Sequence, residues 1–452
     1  MEVANLRTRI VCPSRKLVLP FLLVSLSVIP CNFSALWAQE KPERVLTLAE
    51  SIKLAQSNNQ ELLILSEEEN IAEAKIKLAR SQKYPQIIFS GAYTTLKIDT
   101  PVTLSPMLGG ATLNEGVSEY YTSLLSLRQF LYTGGYLSST SKEAQLNLQE
   151  VESDYRALKG KIVLGVTRNY YQVLLNRQIV NIYESALTQS ENIQNLIKEQ
   201  KGGGELYDYN SVKADVQLMV IKSSLEKARQ DMEENRTVFN RSVGIELNTQ
   251  VQLDGQLTYE EPQEFELNKS ITRALQFSPE LNRKKIEEEM YDVRVTLSKG
   301  KLYPSVIMGG DIAYSGEIFP PKGKSWTATI AVSYPIFDGW ASLTRIKQAK
   351  SELRKTKLER VNLSDDLKLR IQQLHYNYER TKKAVKPLKD SRDLSAQSVQ
   401  LATEAFKKGK ISFSELLSAE MTLTQAEINY LQNLHGYLSA AAELNIITNP
   451  VE

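Results

Sequence analysis

Residues 137–200 read LSSTSKEAQLNLQEVESDYRALKGKIVLGVTRNYYQVLLNRQIVNIYESALTQSENIQNLIKEQ, with no proline. Apolar residues recur at threes and fours through Ala144, Leu148, Val151, Tyr155, Leu158, Ile162, Val166 and Tyr170. That spacing lays one stripe along a helix for packing against a partner helix. At about 1.5 Å per residue the rod is roughly 95 Å long, far beyond an ordinary globular helix. Lys201-Gly202-Gly203-Gly204 breaks it, because glycine is a poor helix former and supplies turn conformations. A second periodic stretch, about Tyr207 to Val243, returns alongside, so the chain makes a long antiparallel helical hairpin.

It makes the hairpin twice. At an offset of 219 residues Leu48, Tyr84-Pro85 and Gly91 fall on Leu267, Tyr303-Pro304 and Gly310; at 205, Gly134, Gly204, Ala214 and Leu218 fall on Gly339, Gly409, Ala419 and Leu423. The period is too long for a solenoid, so a whole domain is duplicated. The expected division is 39–243 for the first copy, 244–261 for a linker and 262–452 for the second. Each copy reads helix, strand, strand, very long helix, turn, helix. Proline at 85 and 304 ends the first helical part, since the residue before proline disfavours helix.

Strands are expected at about 86–98 and 118–131, and again at about 305–315 and 325–336. Ile87, Phe89, Gly91 and Tyr93 alternate with Ile88, Ser90, Ala92 and Thr94, the period-two pattern of a strand with one greasy and one mixed face. Trp326, Ala328, Ile330, Val332 and Tyr334 mark the greasy face of the last strand, and the offset puts Tyr121, Ser123, Leu125 and Leu127 on the same side. Long helices at 137–200 and 341–408 follow, with tip turns at 201–206 and 409–411; Pro387 predicts a kink in the second. Val251, Leu253 and Gly255 alternate in the linker, a candidate extra strand.

The N-terminus has the form of an export signal over 1–38: Arg7, Arg9, Arg15 and Lys16 precede an apolar run from Leu17 to Ile29, with small residues toward Ala38. An uncleaved anchor helix is the competing reading, and Cys31 invites lipidation, although Pro30 fits that processing badly. Both cysteines, Cys12 and Cys31, lie in this segment, so the processed chain offers no disulfide, thiol catalyst or thiolate metal site. Net charge is +2, which gives no reason to expect a nucleic-acid partner. The two histidines, His375 and His435, have no ligand-spaced partner, and Gly202–Gly204 lacks the Lys-Ser/Thr of a phosphate loop. Glu67–Glu69 and Glu287–Glu289 are expected on solvated helix faces. No catalytic, cofactor or metal site is expected, and the chain is not expected to be an enzyme.

Four strands are too few to close a barrel, and a strand in lipid cannot leave backbone groups unpaired. Pooling strands from two, three or four copies gives about 8, 12 or 16, and geometry alone does not choose among them. The alternative is an exported periplasmic coiled-coil scaffold without a pore, capped by soluble hairpins.

The duplication, the Tyr-Pro entries, the exit Phe337-Asp338-Gly339 and the tip Gly409-Lys410-Ile411-Ser412 with Ala419 together resemble the outer membrane efflux protein family, the TolC-like export ducts. The first-copy tip, Gly204-Glu205-Leu206-Tyr207 with Ala214, departs from the pattern at Tyr207. The resemblance covers about Leu46 to Thr448. It implies a homotrimer in the Gram-negative envelope: a 12-stranded barrel in outer-membrane lipid, continuous with a helical tunnel across the periplasm. It further implies the passive exit duct of a tripartite efflux or type I secretion system. The tip, near Gly204, Leu206, Gly409, Ile411 and Ser412, would dock a periplasmic adaptor and be opened with an inner-membrane pump of RND or ABC type. Family members often close the tip with acidic side chains, and the matching position here is Glu415; the first copy has Asn210 there. Where the family has a further acid three residues later, this chain has Ser418, a departure that speaks against a second acidic ring. Asp208, Asp215 and Glu420 complete the candidate gating residues. A threefold ring of carboxylates would favour cations, whereas a lone acid at a helix start is equally explained by the helix dipole.

Overall fold

The computed structural model describes residues 44–98, 102–103, 112–113, 116–199, 205–259 and 263–449. The export-signal segment, with Cys12 and Cys31, and Gly202–Gly204 lie outside them. The chain begins with β1 (Arg44–Leu46), α1 (Leu48–Asn58), α2 (Gln60–Ser81) and β2 (Gln86–Ile98). A short ribbon, β3 (Val102–Thr103) with β4 (Thr112–Leu113), precedes β5 (Gly116–Thr133), α3 (Tyr136–Glu199) and α4 (Glu205–Val243). Then come β6 (Val251–Leu253), α5 (Leu267–Phe277), α6 (Pro279–Gly300), β7 (Ser305–Gly316), β8 (Gly323–Ser333), α7 (Ala341–Lys407) and α8 (Phe413–Thr448).

The first helical part of each copy is two helices, where the sequence pattern suggests one. Asn59 accepts hydrogen bonds from the Glu61 and Leu62 amides and so starts α2 afresh. Ser278 caps α6, with Pro279 in the first turn where its missing N–H costs nothing. The last strand stops at Ser333 and not 336, because Pro335 cannot donate to a ladder and restricts Tyr334. The linker strand is real but short, and β6 pairs in parallel with β1, which the sequence did not flag. α7 runs continuously through Pro387.

Near the strands the helices lie in the order α2-α3-α6-α7, and toward the tips in the order α4-α3-α8-α7. α3 and α7 are thus through-going rods, each accompanied by two shorter helices in succession. The main core lies where α1, β1 and β6 press on the rods, and includes Leu46, Ala55, Tyr170, Phe239, Leu253, Tyr378, Leu434 and Leu444. The linker is strapped there by the hydroxyl of Tyr170, which donates to the Asp254 carbonyl at 2.6 Å, and that of Tyr378, which donates to Gln263 at 2.6 Å. Arg177 donates to the Leu253 carbonyl at 2.8 Å, and buried Asn240 to those of Leu247 and Thr249, both at 2.9 Å. Buried tyrosine hydroxyls need such partners, and the linker's carbonyls need such donors.

Glu288 does not stand on a merely solvated face, since it pairs with Arg360 at 2.7 Å; likewise Glu287 pairs with Lys284 at 2.8 Å. Among the described residues no helix is long and apolar enough to cross a membrane.

Candidate functional site

Two regions carry the functional argument, the four-stranded sheet and the helical tips. The sheet order is β2-β5-β7-β8, antiparallel throughout. Residues paired across such ladders share a face. One row runs Phe89, Leu125, Ile312, Trp326, and the next Ile87, Leu127, Gly310, Ala328. Met308 opposite Ile330 and Val306 opposite Val332 extend the same face. The opposite face is mixed: it carries Ser90, Thr94, Ser126, Arg128, Asp311, Thr327 and Thr329 together with Ile88, Leu124 and Ile307, and Thr327 donates to Asp311 at 3.3 Å. Trp326 is 72% exposed, Ile330 69% and Phe89 71%, so none of the described residues covers the greasy face. Aromatic residues stand at both ends of it: Tyr93, Tyr121 and Phe319 at one, with ring centroids 5.0 and 5.6 Å apart in sequence, and Tyr132, Phe337 and Trp340 toward the other. The strands β2 and β8 are the outer members, and among the described residues neither has a partner on its far side.

At the second tip, α7 ends in a Schellman turn. Gly409 takes φ +68°, its amide donates to the Phe406 carbonyl at 2.9 Å, and the Lys410 amide to Ala405 at 2.9 Å. Ser412 then starts α8 with a capping box. The Glu415 amide donates to Ser412 Oγ at 3.3 Å, while Glu415 Oε2 accepts from the Ser412 amide at 2.7 Å. The Ser412 amide and hydroxyl hold the Glu415 carboxyl below its usual range. Below the turn Ile193, Ile197, Ala214, Phe406, Phe413, Leu416 and Leu417 form a small core that joins the two hairpins, with Ile411 packed on it.

Replacing Ser412 with alanine removes the cap acceptor and one donor to Glu415, and is expected to cost about 1 kcal/mol. Urea unfolding followed by circular dichroism measures it. The Glu415 contribution to the cap is present above the ordinary carboxylate range and lost as pH falls below it, because its folded value is depressed.

The remaining candidates do not form one cluster. Asp215 accepts a hydrogen bond from Gln194, tying α4 to α3. Asn210 is half-buried near the start of α4. Gly204 and the side chains of Leu206 and Asp208 lie outside the described residues. Glu420, five residues after Glu415, turns inward and is hydrogen-bonded to Gln189 on α3; burial pushes its carboxyl up to about 7. Lys213 donates to Ser414 Oγ at 2.7 Å, a link between the two hairpins that sequence spacing did not suggest. Nor did it single out Glu443, which is buried and held by Arg168 of α3 and Arg370 of α7. Its signal was legible, for it is the one charged residue between Ser439 and Thr448. Among the described residues no cluster of ligands could hold a metal ion.

The fold and the site thus define a chain of paired helical rods joined to a four-stranded sheet with an exposed apolar face. The family model described as outer membrane efflux protein matches residues 51–204 and 270–449, and the chain belongs to that family. It is a family of channels located in the outer membrane and reaching into the periplasm. Nodulation protein T of Rhizobium leguminosarum bv. trifolii is 21% identical over 389 residues, 83% of this chain and 80% of that protein. The outer membrane channel CmeC of Campylobacter jejuni superposes with a TM-score of 0.77 at 16% identity, over 94% of each chain. The outer membrane protein VceC of Vibrio cholerae gives 0.76 at 14%, over 89% of this chain and 96% of that one. The open-state outer membrane channel MtrE of Neisseria gonorrhoeae gives 0.73 at 15%, over 89% and 88%.

Proposed function

We propose that three copies of this chain close a 12-stranded barrel in the outer membrane and a helical tunnel beneath it, forming the exit duct of a tripartite efflux or secretion assembly. The observation that carries this reading is the sheet: among the described residues, four strands, two unpartnered outer edges, one greasy face and one mixed face. Unpaired backbone groups in lipid cost several kcal/mol each, so the edges require partners. Four antiparallel strands leave β2 and β8 running in opposite directions, so β8 of one copy meets β2 of the next with the alternation intact. The helical layer supports the same joint. Its outer helices bear exposed apolar residues, Val212, Val216 and Met219 on α4 and Leu394 and Leu401 on α7. Three copies rather than two or four is what the resemblance to the family implies; the sheet alone does not choose.

The greasy face would meet lipid and the mixed face would line water. Arginine at Ile330 is therefore expected to cost roughly 2–4 kcal/mol of barrel stability. Arginine at Thr329, one residue along and on the other face, is expected to change little. Urea-dependent folding into phospholipid vesicles compares the two, and equal costs would remove the assignment of faces. The oligomer itself is tested by light scattering in mild detergent and by conductance in planar bilayers. A folded monomer, or a trimer without conductance, would refute the duct.

At the tip we assign Glu415, with Asp208, Asp215 and Asn210, to the gating region, and the turns at Gly204, Leu206, Gly409, Ile411 and Ser412 to adaptor docking. An inner-membrane pump of RND or ABC type would supply the energy. The Glu415 carboxylate stays ionised while capping, so three copies would place three negative charges at the aperture. Alanine at both Glu415 and Asp208 is the test: unchanged cation selectivity in single-channel recordings would exclude a ring.

A further inference from the structure

Where α8 packs beside α3 of the α3–α4 hairpin, the structure forms a half-open cavity of about 320 Å³. Ile182 and Ser190 on α3, Val220 and Ile221 on α4, and Leu423 and Ile428 on α8 are among its walls. Glu420 enters it from α8. Its carboxyl is hydrogen-bonded to Gln189, while Oε1 is enclosed with no hydrogen-bond partner. Ser190 Oγ, on the facing helix, is likewise enclosed and unpartnered. The titratable groups around the cavity are few. α3 presents Tyr183, α4 presents none, and α8 presents Glu420 and Glu427. The cation nearest in effect is Arg392 on α7, which lies over the Tyr430 ring and acts on Glu427. No lysine or arginine lines the cavity to neutralise Glu420.

We propose that Glu420 is a proton-operated latch between the two hairpins, fastened to α3 while its carboxyl is protonated and released when it ionises. A neutral carboxylic acid has a donor and an acceptor to offer Gln189 and Ser190, and it sits among apolar walls at little cost. A carboxylate there has lost much of its water and gained no cation, so the packing of α8 on α3 is weakened when Glu420 ionises. The latch lies one to two turns below the tip core that joins the two hairpins. This rests on the reading of the tips as a gate, and it adds what sets the gate's bias.

Burial raises Glu420 from 4.5 to about 7 while α8 packs on α3, whereas parting the two returns it to water and to its ordinary value. The closed state is then fully favoured below about 4.5, weakens as pH rises through that range, and carries the whole penalty above about 7. The opening equilibrium is expected to shift on the order of a hundredfold between those limits. Acidification of the periplasm would hold the duct shut.

Hydrogen–deuterium exchange on the full-length protein in mild detergent reads the latch without relying on conductance. After correction for intrinsic exchange, peptides covering 182–190 and 417–428 should exchange faster at pH 8 than at pH 5.5. Glu420→Gln, which keeps an uncharged hydrogen-bonding group, should remove that difference, and Glu427→Gln should leave it. A pH-independent pattern in the wild-type protein overturns the proposal, and so does loss of the effect in Glu427→Gln in place of Glu420→Gln. Should Glu420→Gln not fold, the wild-type profile against Glu427→Gln still decides. Conductance at the two pH values then separates the latch from the pore. Exchange that follows Glu420 in a protein without conductance keeps the latch and refutes the duct.

Discussion

Alanine at Gly134 is expected to cost about 3 kcal/mol or more, while alanine at Gly339, its counterpart in the duplicated half, costs only about 1. Both glycines turn the chain from a strand exit into a long helix, and both adopt left-handed backbone, φ +61° and φ +65°. That conformation alone penalises a side chain by roughly 1–2 kcal/mol. The surroundings differ. A Cβ on Gly134 would stand 2.3 Å from the Gly300 carbonyl oxygen and 2.9 Å from Tyr303 Cβ, whereas nothing lies within 4 Å of one on Gly339. The clash at Gly134 is with backbone, which cannot rotate away, so the turn before α3 must lift off the end of α6. Gly300 makes the same contact from the other side, since its Cβ would meet the Gly134 carbonyl oxygen at 2.8 Å. Gly300→Ala should therefore reproduce the larger part of the loss without any left-handed strain. Urea titrations of the three variants, with recovery of the folded oligomer as a second readout, give the order Gly134 worst, Gly300 next and Gly339 mildest. If Gly339→Ala proved as costly as Gly134→Ala, the close approach would not be the cause.

The same comparison shows what could be read from the sequence and what could not. Equivalent residues of a duplication share their local conformation, because φ is set by the neighbouring few residues. They do not share what packs on them, and the 219- and 205-residue offsets carry no information on that. Period-two alternation through Ile87, Phe89 and Trp326, Ile330 was enough to sort the two faces of the sheet, and the ladder pairs those residues across strands. Helix length was legible from unbroken apolar periodicity. The divisions at Asn59 and Ser278 were missed although each is a strong cap residue, since periodicity continues across both. At the tip, Ser412 and Glu415 stand three apart, the spacing of a capping box. The resemblance drew attention to the charge of Glu415 and away from its local hydrogen bonds. Glu420 and Glu415 look alike in the sequence, five residues apart, yet Glu415 caps in water and Glu420 is half-buried against α3. Helical phase alone could not show which side of α8 the other hairpin covers.

Removing both arginines that hold Glu443 is expected to destabilise the rods by roughly 3–5 kcal/mol, more than removing Glu443 itself. Glu443 is 4% exposed and lies on α8 between the two through-going helices. Arg168 of α3 pairs with one carboxylate oxygen, and Arg370 of α7 with the other at 3.1 Å. The arginine side chains are half-exposed, 50% and 51%. The three groups therefore fail differently. With Glu443→Leu, each guanidinium turns to the water it already touches, and an apolar side chain fills the buried space, so the net cost is about 1 kcal/mol. With Arg168→Met or Arg370→Met alone, the carboxylate keeps one partner and the loss is again about 1–2 kcal/mol. With both replaced, a charge stays buried with no cation, and the penalty is its desolvation. A double-mutant cycle should accordingly show the loss in the double arginine variant exceeding the sum of the two single losses. Additive losses, or a Glu443→Leu variant as unstable as the double arginine variant, would mean that Glu443 contributes by packing and not by tying α3 to α7 through charge.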